Sequence, residues 1–291
     1  MRKFLLLTTA LFIYTCVISC KKDSVNNASP NLVVRLLVDS TQIRLGNLGL
    51  PDSIPSGHAA QCPRFNKISS HYLELAPDMY TLLGSGQIVY HAPETTAGGA
   101  NAIDFSQAKV TTPGEVFLTI PLSQLKSGTY QWVRLSLSYQ NYDVDFTLNN
   151  SLPLTGTIAS FVGFNSYITK YKIKTLEDSV YANRLQGYWA FETNGYKTNG
   201  QSPAGATTVP NPLWQTSPIP QGSCVVTGQF SSPLVITGTE TKDIQLNLSL
   251  SVNKSFEWVD ANSNGIWDVG TSGTEQVVNM GLRGLVPSYI K

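Results

Sequence analysis

Charge is scarce in this chain: 13% of its 291 residues are Asp, Glu, Lys or Arg, about half the fraction usual in globular proteins. The 20 basic side chains stand against 19 acidic ones. This composition excludes a long coiled coil and leaves no basic surplus for nucleic-acid binding, so nucleic acid is not an expected partner. Cysteine is equally sparse, with four residues and no Cys-x-x-Cys pair. Gly-x-Ser-x-Gly, His-Glu-x-x-His and a phosphate-binding glycine loop are missing too, which removes the usual warrant for hydrolase, zinc-protease, nucleotide and redox chemistry. No catalytic residue is assigned. What remains is a chain that is 42% hydrophobic and long enough to bury one large core or two smaller ones.

Met1-Arg2-Lys3 is a short positive segment, followed by the uncharged run Phe4–Ser19, which is too short and too early for a mature transmembrane helix. The run ends in Val17-Ile18-Ser19-Cys20, which resembles the lipobox of bacterial lipoproteins. The resemblance implies that residues 1–19 are removed as a signal peptide and that Cys20 is diacylated, anchoring an exported protein in a membrane. Two or three acyl chains make a stable anchor, since each buried methylene contributes about 0.8 kcal/mol. Lys21-Lys22-Asp23 is similar to the Lys-plus-acid export tags of surface lipoproteins in Bacteroidetes-type bacteria, and Lys21 rather than Asp follows Cys20, so the outer membrane is the expected location. Loss of Arg2 and Lys3 lowers 20 cations to 18 against 19 acids, leaving the mature chain near neutral. Residues 20–31 are polar and lack an apolar period, as a tether should. Cys62 and Cys224 then remain in an oxidising compartment, where a disulfide closing a loop of about 160 residues would contribute roughly 5 kcal/mol. The alternative is two thiols serving as metal ligands.

Strict alternation of apolar and polar residues dominates the rest. Ile244, Leu246, Leu248, Leu250 and Val252 alternate with polar neighbours, as do Leu32 to Val38, Val116 to Leu122 and Val133 to Tyr139. These segments read as half-buried antiparallel strands. With further strand candidates at 86–91, 142–148, 155–162, 166–174, 224–230 and 233–238, the fold expected over 32–291 is an all-β antiparallel sandwich, one large or two packed, with little helix. One helical stretch is expected from Thr175 to Leu185, a long irregular loop over 198–223, and a possible subdivision near Asn149-Asn150-Ser151.

The most specific chemistry lies in Asp260-Ala-Asn262-Ser-Asn264-Gly265-Ile266-Trp267-Asp268, which resembles the Asp-x-Asn-x-Asn-Gly calcium loops of EF-hand-like and dockerin-like modules. The resemblance implies a structural calcium ion held by Asp260, Asn262, Asn264, the Ile266 carbonyl and Asp268. Position twelve is Thr271 rather than glutamate, so Glu275 is the nearest acid to complete the shell. Few carboxylates imply modest affinity, about 10⁻⁴ to 10⁻³ M. The same residues also suit a metal-free Asx-rich turn.

Three weaker constellations remain. His58, Cys62, His71, Met79 and His91 offer donors for a soft metal such as copper, although surface histidines are the commoner reading. Asp143 and Asp145 share one strand face and suit acid–base chemistry of a carbohydrate-active enzyme, or simply a solvated face opposite Tyr142, Val144 and Phe146. Trp189 and Trp214 bracket the proline-rich loop and are candidates for stacking on a glycan, or for contact with another protein. The expected function is therefore a non-catalytic binding or structural module of the cell envelope. Replacing Cys20 by Ser is expected to shift the exported chain from the membrane to the soluble fraction on phase partitioning; an unchanged membrane fraction would mean that something else holds it there.

Overall fold

The structure is a computed structural model that describes residues 29–45, 51–202, 225–271 and 273–291. Cys20, Trp214, Cys224 and most of the 198–223 segment lie outside the described residues. The fold is all-β. In chain order, its first strands are β1 (Asn31–Asp39), β2 (His58–Gln61), β3 (Arg64–Ala76), β4 (Gln87–His91), β5 (Glu94–Thr95), β6 (Ala102–Asp104) and β7 (Val116–Pro121). The central ones are β8 (Gly128–Leu148), β9 (Leu152–Phe161), β10 (Ser166–Lys172), β11 (Glu177–Arg184), β12 (Tyr188–Thr193) and β13 (Tyr196–Gln201). The last are β14 (Val226–Ile236), β15 (Ile244–Ser251), β16 (Phe256–Val259), β17 (Asp268–Val269), β18 (Val277–Met280) and β19 (Arg283–Ile290). Among the described residues the helical content is two three-residue 3-10 turns.

The main sheet runs β13-β12-β9-β8-β3-β4, with β14 and β17 also paired to β8. Three smaller sheets, β19-β15-β1-β7, β11-β10-β6-β5 and β18-β16-β2, accompany it. The first core joins Leu32, Val34 and Leu36 of β1 and Leu246, Leu248 and Leu250 of β15 to Leu73, Leu75, Val133, Leu135 and Leu234, all fully buried. Apart from Leu73, Leu75 and Leu234, these are the apolar positions of the alternating segments, and each contributes about 1.5–3 kcal/mol by burial. The second core is aromatic, with Tyr139, Phe161, Tyr171 and Tyr188 around Ile168. The third packs Tyr142, Val144, Phe146 and Phe191 against Phe256, Trp258 and Trp267.

Two expectations change, the direction of one strand pair and the element over 175–185. β1 and β15 pair in parallel, Leu32 opposite Ile244 through Asp39 opposite Ser251, rather than antiparallel. Alternation fixes which face is buried but not chain direction, which is why the sequence pattern misses this. Asn149 and Asn150, both at positive φ, turn β8 directly into β9, with Leu148 opposite Leu152 and pairing continuous down to Tyr139 opposite Phe161. The stretch from Thr175 to Leu185 is a turn and a strand, β11, instead of a helix. Its inward side chains, Asp178, Val180 and Ala182, are small or polar, so the two-residue period is hard to see in the sequence.

The turn before β11 has a definite cause. Glu192, 4% exposed, accepts the backbone N–H groups of Lys174 (2.7 Å), Thr175 (3.0 Å) and Leu176 (3.0 Å). These hydrogen bonds hold the backbone of 174–176 in the turn that leads into β11. Burial alone would raise the pKa of Glu192, but the hydrogen bonds from Thr175, Leu176 and Lys174 outweigh it and hold the group below its usual value of 4.5. Because the folded pKa is depressed, the stabilisation is present above the unfolded value and is lost as pH falls through the folded one. Unfolding of Glu192→Gln is therefore expected to show a smaller loss of stability between pH 6 and acid, about pH 3, than unfolding of the parent chain; parallel curves would contradict the assignment.

Candidate functional site

The loop from Asp260 to Asp268 leaves β16 and returns as β17, which adds in parallel to the end of β8, Asp268 opposite Thr147. Its turn is built by its own side chains. Asp260 accepts the N–H of Asn264 (3.1 Å) and of Gly265 (2.9 Å), Asn262 Oδ1 accepts that of Asn264 (3.1 Å), and Asn264 Oδ1 accepts that of Ile266 (2.7 Å). Gly265 takes the positive φ of 74° that the sharp reversal requires. Asp268 is 5% exposed, and its Oδ2 accepts the side-chain amides of Asn262 (2.6 Å) and Asn264 (2.8 Å). Its Oδ1 is buried without any hydrogen-bond partner. Both oxygens of Glu275 accept backbone N–H groups, Ala261 at 2.8 Å and Asp268 at 2.9 Å, so this acid closes the loop from behind.

Asp268 Oδ1 is the one side-chain oxygen of Asp260, Asn262, Asn264 and Asp268 without a hydrogen-bond partner, and a hard cation is one way to satisfy it. Asp260, Asn262 and Asn264 already spend their oxygens on backbone N–H groups, and the two carboxamides present nitrogen, not oxygen, to Asp268. Trp267, 7% exposed, follows the turn into the third core and donates its indole N–H to Glu275 O at 3.1 Å.

The histidine-rich segment divides. His58 Nδ1 lies 2.6 Å from Glu257 Oε1, and the same buried carboxylate pairs with Arg44. Cys62 is half-buried, its sulfur accepting the N–H of Lys254 at 3.2 Å, and Met79 is exposed. Only His71 and His91 meet, with ring centroids 5.2 Å apart. Between them stands Glu94, whose Oε1 is 2.9 Å from His71 Nε2 and 3.5 Å from His91 Nε2. One donor atom from each of the three residues lies within 4.8 Å of the others. The His71 hydrogen bond is the chief cause of a lowered Glu94 pKa, and burial, then the neighbouring His71, lowers that of His91.

The remaining candidates are engaged structurally. Asp145 takes a bidentate pair of hydrogen bonds from Arg64, 2.7 Å each, and one from Thr155 at 2.8 Å. Asp143 accepts from Thr157 at 2.5 Å, Asn66 at 3.0 Å and Lys174 at 3.4 Å, while Tyr142, Val144 and Phe146 are buried opposite. Trp189 is half-buried with its indole laid over Gly200, its cross-strand partner in β13, where an added Cβ would come within 2.6 Å of the ring. Sequence reasoning missed Glu94 and Glu257; nothing local marks them, since each gains its role from strands brought together by the sheets.

No protein-family model, no curated protein and no solved structure matches the chain. Glu257→Gln would leave the Arg44 guanidinium, whose side chain is 10% exposed, facing a neutral amide in place of its buried partner. Loss of one member of a buried ion pair costs about 3–5 kcal/mol, softened here by Asp52, 3.6 Å from Arg44. Chemical denaturation is expected to show a destabilisation of about 2–4 kcal/mol, and a change under about 0.5 kcal/mol would rule out this role.

Proposed function

We propose that the chain is an exported lipoprotein, held at the outer membrane through acylated Cys20, whose β-sandwich serves as a non-catalytic binding or structural module stabilised by calcium. The observation that carries the calcium reading is the buried Asp268 carboxylate, which has one oxygen left without a partner at the closing end of an Asp-x-Asn-x-Asn-Gly loop. The lipobox residues Val17 to Cys20 support the anchor. Full engagement of Asp143 and Asp145 by Arg64, Thr155, Thr157 and their neighbours favours a module over a glycosidase, because an acid–base pair needs a carboxyl group free to exchange protons with a substrate. A glycan or another surface protein is the proposed class of ligand, to be sought by substitution of Trp189 and Trp214.

With a dissociation constant of about 10⁻⁴ to 10⁻³ M, one millimolar calcium adds roughly 0.4–1.4 kcal/mol to stability. For the chain from Lys21 onward, which retains every described strand, millimolar calcium is expected to raise the thermal midpoint by about 1–5 °C over that in chelator. The emission of Trp267 is expected to change with it. Asp260→Ala and Asp268→Asn should each abolish both responses. Identical midpoints in calcium and chelator would reduce the loop to a metal-free turn.

A further inference from the structure

We propose that His71, His91 and Glu94 form a second metal site, one for a first-row divalent transition ion of the zinc type. It is separate from the calcium loop in residues and in chemistry.

The backbone builds this cluster deliberately. Along the β3–β8 ladder, Ser70 pairs with Leu137 and Tyr72 with Ser136, so His71 is an extra residue with no partner across the strand. A bulge of this kind re-aims the side chain it carries. On the other edge of β3, Tyr72 pairs with His91 at the end of β4, and the N–H of Ala92 donates to His71 O at 2.7 Å. Pro93 then ends the strand, and the chain crosses into a different sheet, where Glu94 begins β5 opposite Ile103. Three residues from two sheets therefore converge on one point.

The distances suit an ion. Bonds of 2.0–2.1 Å in a tetrahedral shell place neighbouring ligand atoms about 3.4 Å apart. The two histidine–Glu94 separations, 2.9 Å and 3.5 Å, bracket that value, and the donor atoms of the two imidazoles lie within 4.8 Å of each other. Burial is graded: the His71 side chain is 0% exposed, Glu94 20% and His91 36%, so the cluster has a closed floor and one face open to solvent. Three protein ligands with an open side is the arrangement in which water or an external ligand completes the coordination.

The surroundings fix the ligands. Asn101 donates to Glu94 Oε2 at 2.6 Å, leaving Oε1 for the histidines, which is the supporting hydrogen bond a ligating carboxylate needs. The His71 ring stacks on Phe164 at 9° and 6.1 Å, and Tyr72 meets His91 edge-on. His71 Nε2 is the ring nitrogen turned to Glu94, while Nδ1 is buried with no partner, so stacking on Phe164 rather than a second hydrogen bond orients this ring. A purely structural histidine–carboxylate pair needs one imidazole; here a second is brought to the same oxygen. Imidazole with carboxylate, and no thiolate or thioether among them, selects zinc and its neighbours over Cu(I).

The test uses the chain from Lys21 onward, stripped by chelator and titrated with Zn²⁺ by calorimetry and with Co²⁺ by visible absorption. One equivalent is expected to bind, with the cobalt spectrum of a low-coordinate site. His91→Ala and Glu94→Gln should lose this equivalent, and Asn101→Ala should weaken it by about 10- to 100-fold. His71 is left intact because it is a core residue; His91 and Asn101 reach the surface, and circular dichroism confirms their folds. Asp260→Ala should bind zinc as the parent does, which keeps this outcome independent of the calcium loop. Absence of a stoichiometric equivalent in the parent chain, or its survival in His91→Ala and Glu94→Gln, overturns the proposal.

Discussion

One pairing governs this structure: the bulged antiparallel ladder between β3 and β8. β8 is 21 residues long and supplies Val133 and Leu135 to the first core, Tyr139 to the second, and Tyr142, Val144 and Phe146 to the third. A regular strand shows each of its faces to one neighbour only. β8 serves three because its register against β3 slips at Asn66, at Ser138 and at His71, and each slip turns the local twist. The polar groups trapped where the cores meet then become ties between layers: Asn141, 3% exposed, donates to Ile173 O at 2.8 Å and fastens β8 to the second sheet.

That ladder also explains what could be read from the sequence. Alternation in 32–38, 116–122, 133–139 and 243–252 follows directly from one face being buried, so those strands and their inward residues were legible. Direction was not, because β1 lies between β7, antiparallel, and β15, parallel, with the same side chains inward in both pairings. The stretch 175–185 misled for a related reason: its turn is fixed by Glu192, a residue seven positions beyond Leu185, and local propensity cannot report a carboxylate that arrives from another strand.

The candidate sites divide along the same line. Asp260 to Asp268 is a local motif, and nearly all the hydrogen bonds that shape it connect residues within nine positions of one another, so its outline was visible in the sequence. The role of Glu275, closing the loop through Ala261 N–H and Asp268 N–H rather than standing ready as a free carboxylate, was not. In the other cluster, His71 and His91 stood out by residue type alone. Glu94 did not, because its meeting with them depends on the bulge in β3 and on the crossing after Pro93. His58 and Cys62 lie on β2 and just after it, in a different sheet from His71 and His91, and Met79 is exposed beyond the end of β3.

The C-terminal loop matters to the whole domain because of the residue next to Asp268. Trp267 packs against Phe256 at 5.0 Å, Phe146 at 5.8 Å and Phe191 at 6.0 Å, so one indole joins strands of two sheets in the third core. Its backbone carbonyl accepts the N–H of Thr147 at 2.9 Å, seating β17 on the end of β8. Order in the loop is thereby converted into order in the aromatic core: whatever satisfies Asp268 holds the backbone that aims Trp267. An exposed turn of this length would by itself tolerate many sequences at little cost. Tied to a tryptophan that bridges two sheets, it cannot loosen without opening the core it closes.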